Sequence, residues 1–265
     1  MLESSPCGFR VVTVRIQGAS VRIQVVTVRI AGVIVRIPSP LGHAQDKGGH
    51  AQSSENPPSS TLCYPARMLF TPVQVLLRDG RPCTIRQATM DDAPALFALE
   101  RAIVRTRQGV VKHEDELPSE VTVYADRLRP RLSPTDGMAL TLLIEMQGTI
   151  VGEAAIERIG LRMLRHVGIV SLGVHPAAWG LGLGRALLER LIEWARTHRD
   201  ADGGRVLRVE LYTRADNARA TALYRSLGFT TEGVRRGFVR RDDGTLVDDL
   251  VMGLLLDALD AVDLA

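Results

Sequence analysis

The chain has 265 residues, 45% of them hydrophobic, and a formal net charge of +3, enough for one core of ordinary size with an appendage. Residues 1–67 hold six Arg and one Lys against two Glu and one Asp, a balance of +4, which leaves the remainder at −1. No basic stripe interleaved with aromatics points to a nucleic-acid partner, and Cys7, Cys63 and Cys83 lack CxxC or metal-ligand spacing, as expected of free thiols in a reducing compartment with no metal site.

In the N-terminal stretch Val-Arg-Ile recurs at Val14, Val21, Val28 and Val35 and the run ends at Pro38. The repeat lacks Leu at heptad core positions, and an odd period would alternate its faces if extended, so it fits neither a coiled coil nor a strand well. From His43 to Pro65 the chain runs through Gly, Ser, Asn, Gln and Pro, a composition unable to bury enough apolar surface to order itself, and residues 44–61 are expected to be disordered. The expected organisation is a low-complexity extension over 1–67, disordered or not natively translated, and a single domain over 68–265. Arginines interrupt every apolar run before the ~18 residues a spanning helix needs, and the start lacks a secretory pattern. A cytoplasmic protein with no membrane partner is expected.

Cys83 to Ala88 reads as a short strand, followed by Thr89-Met90-Asp91-Asp92 as a helix start with acidic first-turn residues. Ala93 to Val104 carries apolar residues at helical spacing, and a second helix is expected over Pro118 to Leu132, bounded by prolines. Met138 to Met146 and Ile150 to Ile159 flank Gln147-Gly148-Thr149 and predict an antiparallel hairpin. Val167 to Val174 is apolar and largely β-branched, as in a buried strand, and His175-Pro176 ends it. From Leu183 the residues Leu187, Leu191 and Trp194 recur at helical spacing, so a helix opens inside the run Gly180, Gly182, Gly184. Asp202-Gly203-Gly204 reads as a turn before a strand over Arg205 to Thr213. Thr230 to Arg240 and Leu246 to Leu255 are joined across Asp242-Asp243-Gly244, a hairpin signal. The fold class is α/β, a mixed sheet with helices on both faces.

The glycine run carries the chemistry. A helix N-terminus offers unpaired N–H groups and the positive end of its macrodipole, and the glycines remove side chains that would block a pyrophosphate. The Rossmann fingerprint fails because position 185 is Arg, and the P-loop fails because no Lys-Ser or Lys-Thr follows the last glycine. A bland alternative is that the glycines only permit close helix-to-strand packing.

Trp179 to Gly184 resembles the acetyl-CoA loop of the GNAT superfamily of N-acetyltransferases, Gln/Arg-x-x-Gly-x-Gly/Ala after a strand, except that Trp179 stands where the family prefers Gln or Arg. A second signature is similar to the family's: Val209-Glu210-Leu211-Tyr212, then Asn217, then a helix ending Leu223-Tyr224-Arg225-Ser226-Leu227-Gly228-Phe229. The resemblance covers roughly 84–256. It implies a mostly antiparallel sheet in which the strand ending at Val174 and the strand from Val206 splay into a V. Leu172, Gly173 and Val174 would pair with the pantetheine arm, and Gly180, Leu181, Gly182, Leu183, Gly184 and Arg185 would hold the pyrophosphate. Asn217 would hydrogen-bond acetyl-CoA near the splay and Tyr224 would sit close to its sulfur as the acid.

Acetyl transfer to an amine requires a neutral nucleophile, stabilisation of the oxyanion and a proton for the thiolate. A backbone N–H near Val174 is the candidate oxyanion donor. Glu153, Glu157, Ser171 and His175 can each reach an amine or a water; Glu153 is carried forward with Tyr224 as catalytic, while His175 before proline is more readily a turn residue. Asn217 is also expected to cap the helix that follows it. The C-terminal stretch around Asp248 and Asp249 resembles that of amino-acid and small-amine acetyltransferases, where acids would attract an ammonium. The expected acceptor is therefore a small-molecule primary amine such as an amino acid. Alternatives are a protein N-terminal or lysine amine, and a noncatalytic CoA-binding module. The last hairpin has an edge that could pair with a second subunit, giving a homodimer.

Overall fold

A computed structural model describes residues 70–132, 137–200 and 202–256, together with the backbone of 9–16, 19–30 and 33–39, in two units, Met1–Tyr64 and Pro65–Ala265. In the first unit β1 (Phe9–Ile16), β2 (Ala19–Ile30) and β3 (Val33–Ser39) form an antiparallel sheet. Val14 pairs with Val21 and Val28 with Val35. The chain reverses within these periods, so successive repeats face each other across hairpins and the odd period need not keep one strand face constant. Residues 44–61, Met68, Cys7 and Cys63 lie outside the described residues.

The second unit begins with β4 (Val73–Leu76) and β5 (Pro82–Gln87), then α1 (Ala93–Arg105) and α2 (Val121–Leu132). The expected hairpin is β6 (Ala139–Met146) and β7 (Thr149–Arg158); β8 (Val167–Val174) and α3 (Leu183–Thr197) follow. Then come β9 (Arg208–Arg214), α4 (Ala218–Ser226), β10 (Thr230–Arg240) and β11 (Leu246–Leu255). Eight strands make one sheet in the order β10-β11-β9-β8-β7-β6-β5-β4, with β8 and β9 its only parallel neighbours among the described residues.

The two faces follow from strand alternation. Gly152, Ala154 and Ile156 of β7 turn toward α3, where a Cβ on Gly152 would lie 3.3 Å from Leu187 Cδ1. Leu187, Leu188 and Leu191 are fully buried there with Leu142, Ile144 and Val209. The opposite face carries Leu143 against Leu96, Phe97, Tyr124 and Leu128 of α1 and α2. The start of α1 is fixed by Asp92, which accepts from the Thr89 amide at 2.8 Å and pairs with Arg86 of β5 at 2.7 Å. Cys83 is buried and free.

Candidate active site

The parallel ladder between β8 and β9 runs only through Val167/Arg208, Gly168/Val209 and Ile169/Glu210. Beyond it each strand keeps its outer partner, β7 for β8 and β11 for β9, so the sheet opens into a V without fraying. The His175 amide donates to Val151 O at 2.9 Å. Antiparallel alternation then turns the backbone groups of Gly173 to β7 and those of Leu172 and Val174 to the gap. The Val174 carbonyl is occupied, accepting from Trp179 Nε1 at 2.8 Å. An extended ligand in the gap thus meets both groups of Leu172 and the amide of Val174. The backbone contribution expected of Gly173 falls away because its pairing partner is β7.

His175 is a turn residue, its Nδ1 accepting from the Ala177 amide at 3.2 Å. Gly180 (φ +85°) and Gly182 (φ +87°) adopt the left-handed conformation that side chains resist. Gly182 caps α3 without offering a side-chain acceptor, which leaves the first-turn amides of the helix open to an anion. Gly184 also serves packing: a Cβ there would lie 3.2 Å from Leu223 and 3.3 Å from Leu172.

One cavity of about 410 Å³ is bordered by every expected cofactor-binding residue except Leu181. Leu181 packs against the core while its carbonyl accepts from the Arg78 amide at 3.5 Å. Asn217 caps α4, its Oδ1 accepting from the Ala220 amide at 3.2 Å, and also borders the cavity. Tyr224 is buried, edge-on to Phe229 at 6.1 Å between ring centroids. Among the described residues its hydroxyl has no hydrogen-bond partner, and burial pushes its pKa up to about 12. A purely structural tyrosine would have its hydroxyl satisfied locally.

Glu153 lies on the other side of the sheet, beside Gly173 and Ile103. Its carboxylate pairs with Arg131 of α2 at 3.0 Å. The register puts Glu157, Ser171 and Glu210 on this same face. Tyr212 joins them, its hydroxyl donating to Glu210 while the Arg235 guanidinium covers its ring at 4.6 Å; burial, then Glu210, pushes Tyr212 up to about 12. The acids expected to draw an ammonium are engaged elsewhere: Asp249 is buried in an ion pair with Arg235, and Asp248 accepts from the Gly237 amide at 2.7 Å.

Sequence reasoning missed Arg78, Gln108, Gly109, Val110 and Arg219, which also border the cavity. The segment around Val110 is drawn in by Arg214, which donates to the Val110 carbonyl at 2.9 Å, a contact across 104 residues that no local pattern announces. Tyr212 lies in the strand predicted over Arg205 to Thr213, two residues from Glu210 and therefore on the same face.

A V-shaped gap in a sheet, a glycine-capped helix N-terminus and a buried phenol bordering one cavity are the arrangement that the resemblance to the GNAT superfamily implies. The sequence profile of the Acetyltransferase (GNAT) family matches residues 105–229. N-alpha-acetyltransferase RimI of Mycobacterium tuberculosis is 43% identical over 93 residues, 35% of this chain and 53% of that protein. The [ribosomal protein bS18]-alanine N-acetyltransferase of Escherichia coli K12 is 35% identical over 111 residues, 42% of this chain and 70% of that protein. The chain belongs to this family, although it spans only about half the length of the M. tuberculosis relative. The structure of yncA, a putative acetyltransferase from Salmonella typhimurium with its cofactor acetyl-CoA, aligns with a TM-score of 0.57 at 26% identity. The alignment covers 69% of this chain and 99% of that one. The fold and the family expected from the two motifs are borne out. No helix among the described residues is long and apolar enough to cross a membrane.

Proposed function

We propose that the domain in residues 68–265 is a cytoplasmic, acetyl-CoA-dependent N-acetyltransferase that moves the acetyl group to a primary amine by direct attack in a ternary complex. The observation that carries this reading is the coincidence of the open β8–β9 gap, the α3 N-terminus and Tyr224 on one cavity. The α3 amides take the pyrophosphate, and the two backbone groups of Leu172 align the pantetheine arm as an added strand. The amine nitrogen bonds to the carbonyl carbon while the Val174 amide donates to the developing oxyanion. The C–S bond then breaks, the Tyr224 phenol supplies the thiolate's proton, and the nitrogen releases its extra proton to water, from which the phenolate is reprotonated. Glu153, fixed by Arg131, walls the acceptor side. The open edge of β10 suits pairing with a second copy as a homodimer.

Isothermal calorimetry on the full chain tests the cofactor, with NAD as control: micromolar binding of acetyl-CoA alone is expected. Silence toward acetyl-CoA would sink the reading.

The acceptor read from the sequence is a small amine such as an amino acid. A second reading, a protein N-terminal α-amine, is favoured by the two relatives named for that chemistry. Comparing kcat/KM for free L-alanine and for a hexapeptide beginning with alanine separates them. A small-molecule enzyme is expected to use the two within about tenfold, whereas a preference of a hundredfold or more for the peptide would establish the second reading.

A further inference from the structure

The wall of the cofactor cavity carries three arginines, Arg78, Arg185 and Arg219, and no Asp or Glu among its described residues. Arg185 is committed, donating to Glu189 at 3.1 Å and to Ser226 at 2.6 Å. The side chains of Arg78 and Arg219 make no hydrogen bond or ion pair with any described residue. We propose that Arg78 and Arg219 form a subsite for the 3′-phosphate of CoA, selecting CoA thioesters over dephospho-CoA and over carriers that present only phosphopantetheine. The inference rests on reading the cavity as the acetyl-CoA site.

Arg219 is pre-positioned. Its guanidinium lies 3.7 Å from the centroid of the Trp179 ring, and Trp179 is itself pinned by its bond to the Val174 carbonyl. Stacking occupies the face of a guanidinium and leaves its in-plane N–H fork free, the part that grips a phosphate bidentately. The indole therefore removes much of the side-chain entropy that an exposed arginine loses on binding. Arg78 approaches from another direction. It comes over the glycine loop from the turn between β4 and β5, its Cγ 3.6 Å and Nε 3.7 Å from where a Cβ on Gly182 would lie.

Charge decides which phosphate these two residues serve. The pyrophosphate is already met by the α3 amides and the helix dipole. Two further unpaired cations exceed what that group needs. Free CoA carries one more phosphate, a monoester with about two negative charges near neutral pH, and neither dephospho-CoA nor a carrier-bound phosphopantetheine has it.

The test is calorimetric titration of the full chain with CoA, 3′-dephospho-CoA and 4′-phosphopantetheine at one ionic strength. Wild-type protein is expected to bind dephospho-CoA about 10- to 100-fold more weakly than CoA. Arg219→Ala and Arg78→Ala should each weaken CoA about tenfold while leaving dephospho-CoA within twofold, so that the discrimination shrinks. Arg219→Lys, which keeps the charge but not the stacked fork, should recover only part of it. Equal binding of CoA and dephospho-CoA by the wild type overturns the subsite. So does a variant that weakens both ligands alike, since that marks a contact to the pyrophosphate or to the fold. Absence of binding by all three ligands would overturn the acetyl-CoA reading itself, a result distinct from CoA binding without discrimination.

Discussion

Tyr224→Phe is expected to lower kcat for the true acceptor about 100-fold while leaving the acetyl-CoA dissociation constant within twofold. The substitution keeps the ring that packs against Phe229 and deletes only a hydroxyl that no described residue satisfies. Folding should hardly change, because no internal hydrogen bond is lost. The leaving thiolate, by contrast, would have to depart unprotonated or borrow a proton from water. Burial raises the Tyr224 pKa to about 12, so the phenol stays protonated throughout the neutral range. The sign matters for the pH profile: a raised pKa preserves the acid form as pH rises, so this group should add no alkaline limb to kcat until well above pH 10. Steady-state kinetics with calorimetry on both proteins checks the result, and a variant within threefold of wild type would remove Tyr224 from the chemistry.

The parts of the fold that the sequence announces are those whose signals are local. β8, β10 and β11 match their expected bounds because β-branched runs were closed by His175-Pro176 or by an Asp-Gly turn. α3 opens at Leu183 as its apolar spacing requires. β4 escaped notice because four residues with alternate exposure carry too little periodicity, and it forms by pairing with β5. Pro130 lies inside α2, where proline would ordinarily mark an end; packing of Tyr124, Leu128 and Leu132 against the sheet outweighs the local preference. The site divides the same way. Its glycines, Asn217 and Tyr224 lie in two continuous motifs and were legible. The occupancy of the Val174 carbonyl by Trp179, the pairing of Asp249 with Arg235 and the approach of Arg78 are tertiary events, and residue identity alone does not encode who reaches whom.

The V needs a closed end as much as an open one, and a buried ion pair supplies it. Arg158 of β7 sits opposite Gly168, which in turn pairs with Val209 at the closed end of the gap. Its guanidinium binds Asp200, just after α3, with side chains only 1% and 2% exposed, and Arg158 Nε also donates to the Arg165 carbonyl at 2.8 Å. The Asp200 amide meets the Gly204 carbonyl at 2.8 Å, so the pair ties the return from α3 to the end of the sheet where β8 and β9 still touch. Asp200→Ala leaves a buried guanidinium uncompensated and is expected to cost about 3–5 kcal/mol, lowering Tm by about 10 °C for a unit of this size. The double substitution Arg158→Met with Asp200→Leu should recover part of that loss, because apolar groups of similar volume carry no desolvation penalty, while Arg165 and His198, 3.7 and 3.8 Å from Asp200, still lose its carboxylate. Below the melting transition acetyl-CoA affinity should stay within threefold, since Leu172 and Val174 lie four or more residues from Gly168 along β8. Thermal unfolding of the single and double variants reads the coupling directly. A single variant that melts within about 2 °C of wild type would mean that the closed end is held by the apolar contacts of Val206 and Val209 rather than by charge.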